Sequence, residues 1–196
     1  MCNIMRPLTF LLSILFSQVL NGQADSTFHF KQVGWTIKVP PDLKPVDSAT
    51  SAENIKAGKE TVEGLMNQKV NMTKSTILIS AAKDKFNYFG STLTKSEAVT
   101  ENNWLSADSL TKTIFYQAFS KLPNIKIDSS STGQTIDGVT FQKLLINLNI
   151  NDKFIVHANM MTTYYKGFYF GITSFYMDEK VGLEIEKMLR ESRFDK

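Results

Sequence analysis

The residues able to do chemistry in this chain are few and scattered. There are two histidines, His29 and His157, and one cysteine, Cys2. Metal sites gather Cys, His and carboxylates at short spacings. Neither histidine belongs to a His-x-His or His-Glu-x-x-His pattern, and both fall within alternating apolar runs, where a histidine held inside a sheet is the plainer explanation. The stretch IDSSSTGQTIDG lacks the carboxylate spacing and closing Glu of a calcium loop. There is no Gly-x-Ser-x-Gly elbow, no Walker loop and no Gly-x-Gly-x-x-Gly. A Ser/His/Asp triad can be built only by free choice among many serines, which is no signal. The carboxylate pairs Asp178/Glu179 and Glu184/Glu186 lie on or beside a polar helix face, and solvation explains them without acid/base work. We therefore expect no catalytic residue, no metal and no cofactor.

The elements that would position any site are clearest from Gly138 onward. Three apolar runs, GVTFQKLLINLNIND, KFIVHANMMTTYYKG and FYFGITSFYMDE, are separated by Asn-Asp and Lys-Gly. Such pairs mark hairpin turns, so the runs form an antiparallel meander. Side chains alternate across a strand. Leu144, Ile146, Leu148 and Ile150 then share one face, and Phe154, Val156, Ala158, Met160 and Tyr164 do so in the next strand. The other face is mixed. It carries Asn147, His157 and Asn159 beside Met161, Tyr165, Tyr169 and Phe175. That mixed face is too apolar to lie bare in water, so another segment, a ligand or a partner covers it in part. A helix follows from Asp178, with Val181, Ile185, Met188 and Leu189 at helical spacing. Acids at its start and Lys187, Arg190 and Arg193 at its end suit its dipole.

Upstream, FHFKQV and WTIKV are two short strands joined at Gly34 and stopped by Pro40 and Pro41. Residues 51–68 lean helical, but Gly58 and Gly64 predict a short or broken helix. Thr76 to Ala82 is a buried strand by its β-branched content. KDKFNYFGST brings Phe86, Tyr88 and Phe89 together in a loop, either a binding lip or a fold-back onto the sheet edge. Residues 94–122 are mostly helical, with Leu110, Ile114, Phe115, Ala118, Phe119 and Leu122 as the stripe and Ser106 as a possible cap. IKIDSSSTGQTIDGV is a polar strand, a Thr-Gly-Gln turn and a tight Asp-Gly turn. No internal repeat is found.

The chain has 196 residues and a formal charge of +3, with acids and bases interspersed. No dense basic patch points to nucleic acid. Arg6, an apolar run from Leu8 to Leu20, and small residues at Gly22 and Ala24 have the layout of a secretory signal peptide. We place cleavage after Ala24. Residues 1–24 are then the signal peptide, 25–196 a single domain in the periplasm or outside the cell, and no membrane span remains. Cys2 goes with the leader, so disulfides, thiol nucleophiles and Cys-ligated metals go too. The sequon Asn71-Met72-Thr73 matters only in a eukaryotic secretory pathway.

The order of elements, the run WTIKVPP and the tail GFYFGITSFYMDEKVGLEIEKMLRESRF resemble the PsbP/Mog-like family. The resemblance implies an α+β fold, a central antiparallel sheet of about six strands sandwiched by helices, closed by a C-terminal amphipathic helix. Members of that family share a scaffold and not a function. It implies a non-enzymatic binding or assembly role, which here means an exported module for a protein or envelope partner. The alternative is a carrier for a small apolar or amphipathic ligand on the mixed face. Its candidate contacts are His157, Asn159, Met161, Tyr165 and Tyr169, with Phe86 and Tyr88 at the rim.

Overall fold

The computed structural model describes residues 26–66, 75–95, 97, 99–122 and 124–196. The expected signal peptide, residues 1–24, and the sequon at Asn71 lie outside them. Ten strands and three helices occur among the described residues. They are β1 (Ser26–Phe30), β2 (Trp35–Val39), β3 (Lys44–Pro45), α1 (Ser48–Met66), β4 (Ser75–Asp84), β5 (Asn87–Thr94) and α2 (Trp104–Ser120). Then follow β6 (Ile125–Ile136), β7 (Val139–Ile150), β8 (Phe154–Tyr165), β9 (Phe168–Tyr176), α3 (Glu179–Glu191) and β10 (Arg193–Phe194). No helix among the described residues is long and apolar enough to cross a membrane.

The main sheet is antiparallel throughout, in the order β3-β4-β5-β9-β8-β7-β6. Its turns rest on residues that tolerate a left-handed backbone. Asp137 and Gly138 have φ of 46° and 87°, Asn151 and Asp152 of 54° and 53°, and Lys166 and Gly167 of 49° and 83°. This is the backbone of the tight turns whose twist matches that of the flanking strands. The sheet has seven strands where about six were expected, since β3 and β5 join it, and two local expectations fail. KDKFNYFGST is not a loop: only Lys85 and Phe86 turn, and Tyr88 and Phe89 sit in β5, an interior strand. Thr132-Gly133-Gln134 is not a turn either. The β6–β7 ladder runs unbroken through it, from Ile125↔Ile150 to Ile136↔Val139.

Two apolar clusters lie on opposite faces of the sheet. On one face α2 and the turn after it lay Phe115, Phe119 and Leu122 over Leu144, Ile146, Leu148, Ala158 and Met160. On the other, α3 lays Val181, Ile185, Met188 and Leu189 over Phe89, Phe141, Met161, Phe170 and Ile172. The N-terminal hairpin does not join the main sheet. It makes a second small sheet, β1-β2-β10, with the C-terminal residues, and Phe194 pairs with Trp35. Trp35 is fully buried, and its indole Nε1 donates to Ser192 Oγ at 3.1 Å. Phe194 packs on Trp35, Phe141, Tyr165 and Phe170. Gly34, at φ +63°, leaves space that any Cβ would take from Asp195, whose Cβ it would meet at 2.8 Å.

Residues 48–66 form one helix, not a broken one. Asp47 supplies what the glycines take away: its Oδ1 accepts from Thr50 N at 2.9 Å, at the helix start. α2 begins at Trp104 after Asn103, so Ser106 is inside it and not its cap. Phe194 is 5 % exposed among four aromatic partners. Phe194→Ala should therefore lower the unfolding free energy by about 3 kcal/mol, as for other buried phenylalanines, measured as a fall in the urea midpoint at unchanged slope.

Candidate functional site

Strand register decides which of the expected site residues can act together. Tyr165 pairs with Phe168 across the two-residue turn, so Met161 faces Ile172 and Asn159 faces Ser174. Odd-numbered residues of β8 thus share a face with even-numbered residues of β9. His157, Asn159, Met161 and Tyr165 lie on the α3 face. Tyr169 and Phe175 lie on the α2 face, paired with Tyr164 and Ala158. Tyr88, opposite Phe175, is also on the α2 face. The seven candidates therefore do not form one site. Phe86 stands apart in the β4–β5 turn, with Lys85 Nζ 4.8 Å from its ring centre.

The α3 face divides into a closed half and an open half. The closed half is core: Met161 is 1 % exposed, and Tyr165 packs edge-on against Phe194 at 5.4 Å between ring centres. The open half lies toward the β7–β8 turn. There Ile155 is 45 % exposed, Leu145, Asn147, Asn149 and His157 are half-buried, and Lys126, Asp128 and Ser130 of β6 are exposed. The side of α3 forms its wall. Gly182 lets the helix come down on Tyr176, since a Cβ there would meet the ring at 2.7 Å from Cζ. Tyr176 stacks on His157 at 4.9 Å, and Lys143 Nζ meets Glu186 Oε1 at 3.2 Å. Burial first, then Glu186 and Glu179, push the Tyr176 phenol up. Asn159 is 4 % exposed at the foot of this wall, and its Oδ1 has no hydrogen-bond partner.

The α2 face holds a polar cluster that the sequence reading missed. Asp108 is 4 % exposed on α2. Its carboxylate accepts from Thr162 Oγ1 and receives Lys112 Nζ at 2.9 Å, and the Tyr169 hydroxyl donates to it at 3.4 Å. Burial, and then the Asp108 charge, push the Tyr169 phenol up to about 12. The sequence carried one clue, the i,i+4 spacing of Asp108 and Lys112, which marks a helix pair but usually a solvated one. All members are satisfied by one another, so the cluster orients α2 and leaves no vacant donor or acceptor that the geometry shows. Nearby, Tyr88 lies across Gly90 and receives a hydrogen bond from Ser80 Oγ at 3.3 Å. Among the described residues, no group of three or more His, Cys, Asp or Glu is placed to hold a metal.

No protein-family model matches this chain, and no curated protein matches it in sequence. Its structure is similar to the solution structure of cyanobacterial PsbP (CyanoP) from Synechocystis sp. PCC 6803. The TM-score is 0.52 at 10 % identity, over 92 % of this chain and 99 % of that one. The resemblance seen in the order of elements thus holds for the fold.

Two outcomes follow. Asp108→Ala leaves the half-buried Lys112 without its partner and should cost about 3 kcal/mol, whereas Asp108→Leu with Lys112→Met should return to within about 1 kcal/mol of the parent; chemical denaturation of both variants checks this. The unfolded chain loses the Tyr169 proton near pH 10 and the folded chain near 12. Its contribution is therefore complete below pH 10 and lost as pH rises to 12, a fall of about 2–3 kcal/mol. Tyr169→Phe should flatten that part of the stability profile, read by denaturation across this range.

Proposed function

We propose that this PsbP-like fold is a non-catalytic exported module that binds a protein or envelope component through the open half of the α3 face. One observation carries the reading: the sheet surface combines a 45 % exposed Ile155 with half-buried Leu145 and His157, outside both apolar clusters. Interfaces of this kind pair an apolar centre with polar groups at its margin. The leader at residues 1–24 supports export, and the scattered nucleophiles and acids support a binding role without catalysis. A small-molecule carrier is the second possibility. The register weakens its original form, because Met161 and Tyr165 are packed in core while Tyr169 and Phe175 face the other way.

The test is capture from an envelope extract with the parent and with Ile155→Asp, whose exposed position spares the fold. The parent is expected to retain one polypeptide in stoichiometric amount, and Ile155→Asp to lose it. Equal retention by both would remove this face from the proposal. Native mass spectrometry showing a discrete small adduct and no polypeptide would transfer it to the carrier.

A further inference from the structure

Strand β6 leaves one edge of the main sheet open. Among the described residues it pairs with β7 alone, along its whole length from Ile125 to Ile136. The turn that ends it decides which of its backbone groups point outward. Asp137-Gly138 closes on the pair Ile136↔Val139, and a two-residue turn is closed by a pair that exchanges both its hydrogen bonds. The ladder is unbroken, so even-numbered residues of β6 turn their N–H and C=O to β7. Asn124 O agrees, accepting from Asn151 N at 3.1 Å. Ile127, Ser129, Ser131, Gly133 and Thr135 therefore turn theirs to the open edge. Residues 128–133 are exposed on both faces, and Ser129-Ser130-Ser131-Thr132-Gly133 has neither charge nor bulk to hold a second strand off. Native sheets blunt such edges with proline, charge or brevity. The opposite edge is blunted in this way, since β3 has two residues and ends in Pro45. The middle of β6 carries no such device.

We infer that β6 pairs antiparallel with β6 of a second copy of this chain, about a two-fold axis at Ser131. This stands apart from the partner proposed for the α3 face. A foreign strand is recognised through pockets for its alternate side chains, and a run of serine, threonine and glycine supplies none. A second copy fits without them. In this register Ser131 faces its symmetry mate, Ser129 faces Gly133, Ser130 faces Thr132 and Ile127 faces Thr135. Outward-turned residues meet one another, so donors meet acceptors along the ladder. Like charges stay apart, because Asp128 faces Gln134 and Lys126 faces Ile136. An axis at Asp128 or Lys126 would set like charges opposite, which destabilises a strand pair. An axis at Ile127 would set Lys126 against Asp128 but cut the overlap to Ile125–Ser129, since Asn124, at φ 59°, ends the strand. A self-complementary contact of this kind closes as a two-fold dimer. The ladder carries little apolar area, so Kd is on the order of 100 μM. Both copies then present the α3 face on the same side of one continuous sheet.

The test is sedimentation and residue-resolved hydrogen exchange of the protein at about 10 μM and about 1 mM. A dimer is expected at the higher concentration, where the amides of Ser129, Ser131 and Gly133 exchange about fourfold more slowly. Those of Ser130 and Thr132, already bonded to β7, change little. Ser131→Pro removes an outward N–H and no ladder bond within the chain, so it should keep the fold and lose the dimer. If that variant does not fold, Ser131→Lys decides, because it sets two ammonium groups opposite each other at the axis. A monomer at both concentrations overturns the proposal. So does a dimer that the folded variant leaves intact, or an assembly that grows beyond two copies. Protection of the odd-numbered amides only when envelope extract is added, with the protein still monomeric, gives the edge to a partner's strand and overturns the second copy. Partner capture by the α3 face is read separately, through Ile155→Asp, so either proposal can fail without the other.

Discussion

The buried indole of Trp35 is the contact on which most of the structure depends. It is fully enclosed, and the three elements that enclose it come from distant parts of the chain. β2 carries it, β9 supplies Phe170 at 5.1 Å, and β10 supplies Phe194 at 6.4 Å. Its single N–H would be costly to bury unpaired, and Ser192, just past the end of α3, accepts it. The same serine hydroxyl donates to Leu189 O at 2.7 Å, at the last turn of the helix. The position of α3 on the sheet is thereby tied to the N-terminal hairpin. So is the wall that α3 raises beside Asn159 and Tyr176.

The two faces treat polar groups differently. Under α2, Asp108, Lys112, Thr162 and Tyr169 satisfy one another, and a network of that kind fixes geometry. Beside α3, Asn159 and Asn149 keep an oxygen unanswered. Natural sheets bury few such atoms without a partner.

Much of this was legible in the residues. Asp137-Gly138 and Lys166-Gly167 need a left-handed backbone, so the meander could be placed from sequence. The stripe Val181, Ile185, Met188 and Leu189 could only be a covered helix face. The misreadings have physical causes too. Asn87, Gly90 and the clustered aromatics read as a loop, but Gly90 is there because the Tyr88 ring lies over it in an interior strand. The division of Met161 from Tyr169 was within reach, since a two-residue turn fixes the pairing Tyr165↔Phe168 and thereby the parity of every later pair. Asp108 was not, because an acid four residues before a lysine has the same pattern whether dry or solvated. Nor could sequence show that the Asn159 oxygen goes unmet, which depends on neighbours from β9 and α3.

The closure around Trp35 also has a kinetic side. The hydrogen bond from Trp35 to Ser192 spans 157 positions, whereas α2 and the β6–β7–β8 ladders join segments close in sequence. Long-range closures are entropically late and short ones early. On that ground the α2 side is expected to form before the Trp35 core. Contacts that form after the transition state govern how fast a native chain opens. The lifetime of this fold against proteases and heat is therefore expected to depend on the seam where β2 meets β10.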